Sequence, residues 1–333
     1  MIWTDIRELR IEGQGWADTK APFDRLPARA EGVVRDVVWE LSRHSAGLCV
    51  KFKTDATEIH GRWTLTQERL AMDHMPATGV SGLDLYIDTP DGPKWAGVGR
   101  PETFPDVEVT LVAGMAECGK SCTVYLPLYN GVSSVEIGIP DGCLIEASVR
   151  PVDRKTVLFY GTSITQGASA SRTGTSHVAR VGRDLNCETL NLGISGNGMM
   201  EPEVAGFVAE LDPDVFVIDC LPNMTHDLVT ERAVPLVKVI RERHSETPIL
   251  LVEDRTYGGS TFVASKKERN VSGRKAFAEV YAGLISDGVS GLHYMEGEDQ
   301  LGEDDTVDGS HPTDLGFRRQ ADRFSEAISK ILG

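Results

Sequence analysis

From Val33 to Ala147 the chain alternates apolar and polar residues in short runs, broken by glycine, proline and aspartate. Such a period of two lines one face of a strand with every second side chain. It predicts strands over 33–41, 47–53 and 58–65, and near 83–88, 94–98, 107–112, 122–127, 132–139 and 143–149. Pro90-Asp-Gly92 and Pro140-Asp-Gly142 read as turns between them. Residues 1 to about 30, interrupted by Gly13, Gly15, Pro22 and Pro27, read as irregular. Many short strands without a helical period imply an all-β sandwich of jelly-roll type.

The pattern changes after the polar linker Arg150–Lys155. Apolar runs at 156–160, 189–192, 215–218, 249–252 and 291–295 now alternate with helical periods at 174–186, 200–211, 228–244, 264–287 and 313–331. Strands alternating with helices build a parallel, doubly wound α/β sheet. The expected architecture is therefore a β-sandwich domain over 1–150 followed by a five-stranded, flavodoxin-like α/β domain over 151–333. No internal repeat or low-complexity segment appears.

Composition narrows the function. Lys+Arg 34 against Asp+Glu 50 gives a net charge of −16, which disfavours nucleic acid and anionic membrane surfaces and suits a small, weakly charged ligand. No apolar run is long enough to span a bilayer, and Met1-Ile-Trp-Thr-Asp-Ile-Arg-Glu carries charge where a signal peptide needs its apolar core. A cytoplasmic location is the expectation. The six cysteines form no zinc pattern beyond Cys118-x-x-x-Cys122, so neither a metal nor another cofactor is expected, and most of them read as buried apolar residues. The sequence leaves the oligomeric state open.

The candidate chemistry sits at the carboxyl ends of the α/β strands, where open sheets bind ligands. Val157-Leu-Phe-Tyr-Gly-Thr-Ser163 ends a strand at a glycine and presents Ser163, a candidate nucleophile. A serine hydroxyl needs an adjacent base, and His311, before Pro312 at an expected helix start, can supply it. The positive end of that helix disfavours imidazolium, and Asp308, three residues earlier, offsets this by accepting from the other ring nitrogen. In a flavodoxin-like strand order, Ser163, Gly196 and Asn223 follow the first three strands and converge on one crevice.

Four ordered blocks resemble those of the SGNH (GDSL-type) hydrolases: Gly161-Thr-Ser163-Ile-Thr, Asn191-Leu-Gly-Ile-Ser-Gly196, Leu221-Pro-Asn223-Met and Asp308-Gly-Ser-His311-Pro. The usual Gly-Asp-Ser is here Gly-Thr-Ser, and Leu221 replaces a glycine. Upstream, Gly82-Leu-Asp-Leu-Tyr86 is similar to the Gly-x-Asp-Leu-Tyr signature of the sandwich domain preceding a subset of these enzymes. The resemblance implies a catalytic triad of Ser163, His311 and Asp308. It also implies an oxyanion hole formed by the N–H groups of Ser163 and Gly196 (Gly193 being the alternative glycine) and the Asn223 amide. The implied function is a cofactor-free serine esterase acting on short-chain acyl esters, carbohydrate O-acetyl groups in particular.

Two rivals remain at this stage: an acyltransferase using the same residues, and a sugar-binding protein with a relic hydrolase fold. Intact residues in all four blocks argue against a relic. His177 and His226 read as helix-surface or loop residues, and the acidic run Glu303-Asp-Asp305 as a solvated loop. Met199-Met200 and Met72-Asp-His-Met-Pro76 are candidates for pocket lining or plain packing. The connection from Thr66 to Gly82, with Arg69, Asp73 and His74, exceeds what a strand turn requires and is expected to reach over Ser163.

Overall fold

The computed structural model describes residues 1–333. The first half contains ten strands: β1 Ile2–Asp5, β2 Arg10–Glu12, β3 Cys49–Thr54, β4 Ile59–Leu65, β5 Leu83–Thr89, β6 Gly92–Gly99, β7 Asp106–Val112, β8 Lys120–Tyr125, β9 Val132–Ile139 and β10 Ile145–Ala147. They form two antiparallel sheets, β1-β9-β4-β7 and β10-β3-β8-β5-β6, with β2 also on β3. Without the short β2 and β10, the pairing of first with last strand and the alternation between sheets is the jelly-roll arrangement. Phe52, Trp63, Leu83, Leu85, Val124 and Ile137 fill its interior.

The second half carries β11 Thr156–Gly161, β12 Glu188–Gly193, β13 Val215–Asp219, β14 Ile249–Val252 and β15 Leu292–Met295, all parallel, in the order β12-β11-β13-β14-β15. This is the flavodoxin-like order, with its switch point beside β11. The strand pleat sends Val157 and Phe159 to one face, against Val178 and Phe324, and Leu158 and Tyr160 to the other, against Phe207, Leu236 and Phe277. No helix is long and apolar enough to cross a membrane.

The N-terminal region departs from the sequence reading. Residues 1–30 contain two short strands, and the expected strand at 33–41 is a helix, α1 Asp36–Ser42. A second short helix, α2 Ala77–Val80, lies in the 66–82 connection. Val34, Val38 and Trp39 are buried while Val33 and Val37 are exposed, a period of four rather than two. That face packs outside the sandwich. Trp16, Leu26, Ala30, Val34, Val38 and Trp39 join the core on one face of the parallel sheet. Trp16 and the segment from Leu26 to Trp39 therefore belong by packing to the α/β half, although they precede most of the sandwich in sequence, while Phe23 between them packs in the sandwich core.

The helices of the second half are α3 Ser163–Gln166, α4 His177–Asp184, α5 Pro202–Val208, α6 His226–Arg243, α7 Ala264–Ser286 and α8 Asp314–Leu332. His177, expected on a helix surface, is wholly buried on α4, and neither of its ring nitrogens has a hydrogen-bond partner. Its ring stacks on Phe324 at 5.1 Å and on Phe317 at 5.7 Å. Burial, with the Arg255 guanidinium adding to it, holds its pKa well below the usual value. In the unfolded chain an imidazole titrates near ~6.5. As pH falls through that value the unfolded state takes up a proton that the folded state refuses, so stability falls. His177→Phe is expected to lose about 2 kcal/mol less stability than wild type between pH 7 and pH 5. Urea unfolding at the two pH values measures this; equal losses would mean that His177 is not held neutral.

Candidate active site

Strand β11 ends at Gly161, and the chain turns at Thr162 into the one-turn helix α3. The Thr162 hydroxyl accepts from Ile164 N, capping α3. Gly167 closes it with φ +110°, a left-handed conformation that favours glycine. This sharp strand-to-helix turn leaves Ser163 at the carboxyl edge of the sheet.

The other two residues come from the loop before α8. His311 Nε2 stands 2.9 Å from Ser163 Oγ, and His311 Nδ1 stands 2.7 Å from Asp308 Oδ2. The other Asp308 oxygen accepts from the backbone N–H groups of Ser310 at 3.0 Å and His311 at 2.8 Å. Burial raises the Asp308 pKa, but these hydrogen bonds and the adjacent ring outweigh it and hold the carboxyl at about 2. An ionised Asp308 keeps the proton on Nδ1, leaving the Nε2 lone pair to accept from the serine hydroxyl. The helix itself begins later than expected. Thr313 is the N-cap, so Pro312 lies outside the first turn.

Asp305 holds this loop in place. It is buried rather than solvated: its carboxylate accepts from Gly302 N at 2.6 Å and pairs with Arg319, and its carbonyl accepts from Thr313 N at 2.7 Å. Among His, Cys, Asp and Glu side chains no group of three or more is placed to hold a metal.

The second and third blocks meet beside Ser163. Gly193 N donates to Asn191 Oδ1 at 2.9 Å and is already engaged, whereas Gly196 N–H has no acceptor in the protein. Gly196 therefore satisfies the geometric requirement for a free donor better than Gly193. Ser195 N donates to Gln166 Oε1 at 3.1 Å, tying this loop to α3. Asn223 ends the turn after β13. In the amide orientation that its neighbouring donors require, its oxygen accepts from Asn197 N at 3.0 Å and Gly198 N at 3.2 Å, which leaves its NH2 group free. Leu221, in the place of the usual glycine, is buried in the sheet core. Met200 is also core, not pocket lining.

Residues that the sequence reading missed brace the site from beneath. Arg255, buried, makes two 2.6 Å bonds to the buried Asp219, which also accepts from Thr165 Oγ1 of α3 at 3.0 Å. From the first half, the buried Arg25 donates to Gly193 O at 2.6 Å and Asn191 O at 3.0 Å, and Tyr129 Oη donates to Ser163 O at 3.3 Å. Gln166 is the residue a closer reading would have found, since it directly follows the first block.

The connection from Thr66 to Gly82 reaches the site. The His74 ring lies against that of His311, with centroids 5.5 Å apart. Met75 packs with Ile164, Ala168 and Phe317, and Met72 lies at the edge of that cluster. Thr78 Oγ1 donates to Ser171 O at 2.6 Å, and Gly79 sits so close to the Ala170 carbonyl that a side chain would not fit.

With this geometry in place, an SGNH-type α/β hydrolase is the class defined by the fold and by the contacts among the four blocks. The GDSL-like lipase/acylhydrolase family model matches residues 154–329, and a model for the N-terminus of SGNH-hydrolase-type esterases, GxDLY, matches residues 1–145. The chain belongs to the GDSL-like lipase/acylhydrolase family and is an ester hydrolase of the SGNH type. A solved structure from Bacteroides ovatus, described as a GDSL-like lipase, is 34% identical, with 99% of this chain and 98% of that one covered and a TM-score of 0.95. A salicylyl-acyltransferase from a tetracycline biosynthetic pathway shares 18% identity over 99% and 97% of the two chains, with a TM-score of 0.80. A family two carbohydrate esterase from Clostridium thermocellum, in complex with cellohexaose, shares 17% identity over 86% and 93%, with a TM-score of 0.59. These last two are likenesses of fold. No curated protein matches the sequence.

His74 gives the reach of the connection a direct test. His74→Ala is expected to change the ratio of kcat/KM between acetyl and butyryl esters by roughly 3- to 10-fold, the range of a modest change in an apolar pocket. The melting temperature should stay within a few degrees. An unchanged ratio across a chain-length series would make the 66–82 connection structural only.

Proposed function

We propose that the protein is a serine esterase that removes short acyl groups, O-acetyl groups on carbohydrate above all, through an acyl-enzyme on Ser163. One observation carries this reading: the unbroken path of 2.9 and 2.7 Å contacts from Ser163 Oγ through His311 to Asp308. His311 Nε2 takes the serine proton as Oγ attacks the ester carbonyl. The oxyanion that forms is held by the N–H groups of Ser163 and Gly196 and by the Asn223 amide NH2. Collapse of this intermediate expels the alcohol, which takes the proton from His311 and leaves the acyl group on Ser163. Water then enters, loses a proton to His311 and releases the acid by the same sequence of steps. Asp308 stays ionised throughout, holding the ring and stabilising imidazolium.

The preference for short acyl groups is supported by the crowding of His311 by His74. The carbohydrate esterase among the fold relatives supports an acylated sugar as substrate. Transfer to an acceptor other than water is the second reading, favoured by the acyltransferase whose fold covers both halves of this chain. Acetate release measured with and without added sugar acceptors separates the two, since only transfer diverts the acyl group into a new ester.

Ser163→Ala should fold normally and lose roughly six orders of magnitude in kcat toward p-nitrophenyl acetate. A variant that keeps a tenth of wild-type turnover would refute the serine mechanism. Asn223→Ala should lower kcat about 10²- to 10³-fold with little change in KM, as for a donor used in the transition state. An effect on KM alone would make Asn223 a residue of the ground-state complex.

A further inference from the structure

The loop after β12 contains a turn whose central peptide is the one proposed to supply the oxyanion donor. Asn197 N donates to Ile194 O at 2.9 Å, closing a four-residue turn with Ser195 and Gly196 at its centre. Gly196 has φ +67°, the sign that a type II turn requires at its third position. Types I and II differ by rotation of the central peptide, here Ser195–Gly196, through nearly half a turn. Glycine tolerates φ of either sign, so residue type does not fix that orientation. Gly196 is exposed, and no atom lies within 4 Å of where its Cβ would be. Packing does not fix it either.

A side chain does. Asn197 Nδ2 donates to Ser195 O at 2.8 Å. The peptide unit is planar and trans, so fixing the Ser195 carbonyl points the Gly196 N–H in the opposite direction. Asn197 Oδ1 in turn accepts from Arg35 Nη1 at 2.9 Å, and Arg35 is anchored through Nε to Glu201. The backbone N–H of Asn197 also holds the Asn223 amide oxygen at 3.0 Å, which turns the Asn223 NH2 outward. Asn197 thus touches both donors, its side chain fixing the Gly196 peptide and its backbone N–H, together with that of Gly198, holding Asn223. Asn197 is itself held by an arginine from the N-terminal segment.

We propose that Asn197 is a positioning residue that locks the Ser195–Gly196 peptide in its donating orientation and aligns Asn223 with it, and that Arg35 acts through Asn197. This rests on the reading of Gly196 and Asn223 as oxyanion donors. Misplacement of a group by about 1 Å can cost on the order of 10²-fold in rate.

The test uses Asn197→Ala, the near-isosteric Asn197→Asp, Arg35→Met and the Arg35→Met/Asn197→Ala double variant in the full chain, with p-nitrophenyl acetate as substrate. Methylboronic acid serves as the probe, since its serine adduct places an oxygen in the oxyanion hole. The Asn197 variants are expected to lower kcat roughly 10- to 100-fold, with KM within about threefold and the boronate Ki raised in step with the loss in kcat. Arg35→Met, at a half-exposed position, should lower kcat by a smaller factor, and the double variant should be no worse than Asn197→Ala alone. That smaller effect can be read even if an Asn197 variant fails to fold. A kcat within twofold of wild type in the folded variants, a change confined to KM, or multiplicative losses in the double variant would overturn the proposal. If hydrolysis proves independent of Ser163, the esterase reading falls and this inference falls with it. Dependence on Ser163 with indifference to Asn197 and Arg35 removes this inference alone.

Discussion

One buried carboxylate, Asp84, bonds the sandwich to the α/β half. It accepts from Arg172 Nη1 at 2.9 and 3.0 Å, from Gly174 N at 2.9 Å and from Trp95 Nε1 at 3.0 Å, and it is fully buried. Burial pushes its carboxyl above the usual range, and Arg172 draws it back only in part. Removing one partner of such a pair strands a buried charge, at a cost of about 3–5 kcal/mol. The segment carrying these donors is bonded onward. Ser171 N and Thr175 Oγ1 donate to Asp314 at 3.0 and 2.8 Å, and Asp314 opens α8 just after His311-Pro-Thr. The seating of the sandwich is therefore mechanically continuous with the loop that carries the base.

The Gly-x-Asp-Leu-Tyr signature acquires a physical meaning in this light. On β5 the pleat sends Leu83 and Leu85 into the sandwich core, and Asp84 and Tyr86 to the opposite face. There Asp84 holds Arg172, while the Arg183 guanidinium lies 4.0 Å over the Tyr86 ring. One half of the motif packs its own domain and the other half docks the hydrolase.

Much of this was legible in the sequence because period and order are local properties. The apolar runs of the parallel sheet and the sequence order of the blocks around Ser163, Gly196, Asn223 and His311 require no long-range information. Other features do. The β-branched run at 33–38 reads as strand, and contact with the core of the parallel sheet makes it a helix instead. Arg25 and Asp305 look like surface charges until their partners, Gly193 O and Gly302 N, are known. His177 has no local signal, since its burial follows from α8 closing over it. Asn197 sat in plain view after the second block, but its meaning depends on Arg35, 162 positions away.

The crossing of residues 16–39 onto the parallel sheet has a consequence for how the chain is made. Trp16, Leu26 and Trp39 leave the ribosome long before the sheet residues whose core they share, and Trp16 bonds through Nε1 to Glu210, 194 positions downstream. At about 5–20 residues per second, that interval lasts on the order of ten to forty seconds. During it the sandwich strands emerge with their own core while an aromatic segment has nowhere to bury itself. The nascent polypeptide carries this exposed segment until the parallel sheet has emerged, and chaperone demand in the cell should concentrate on residues 16–39.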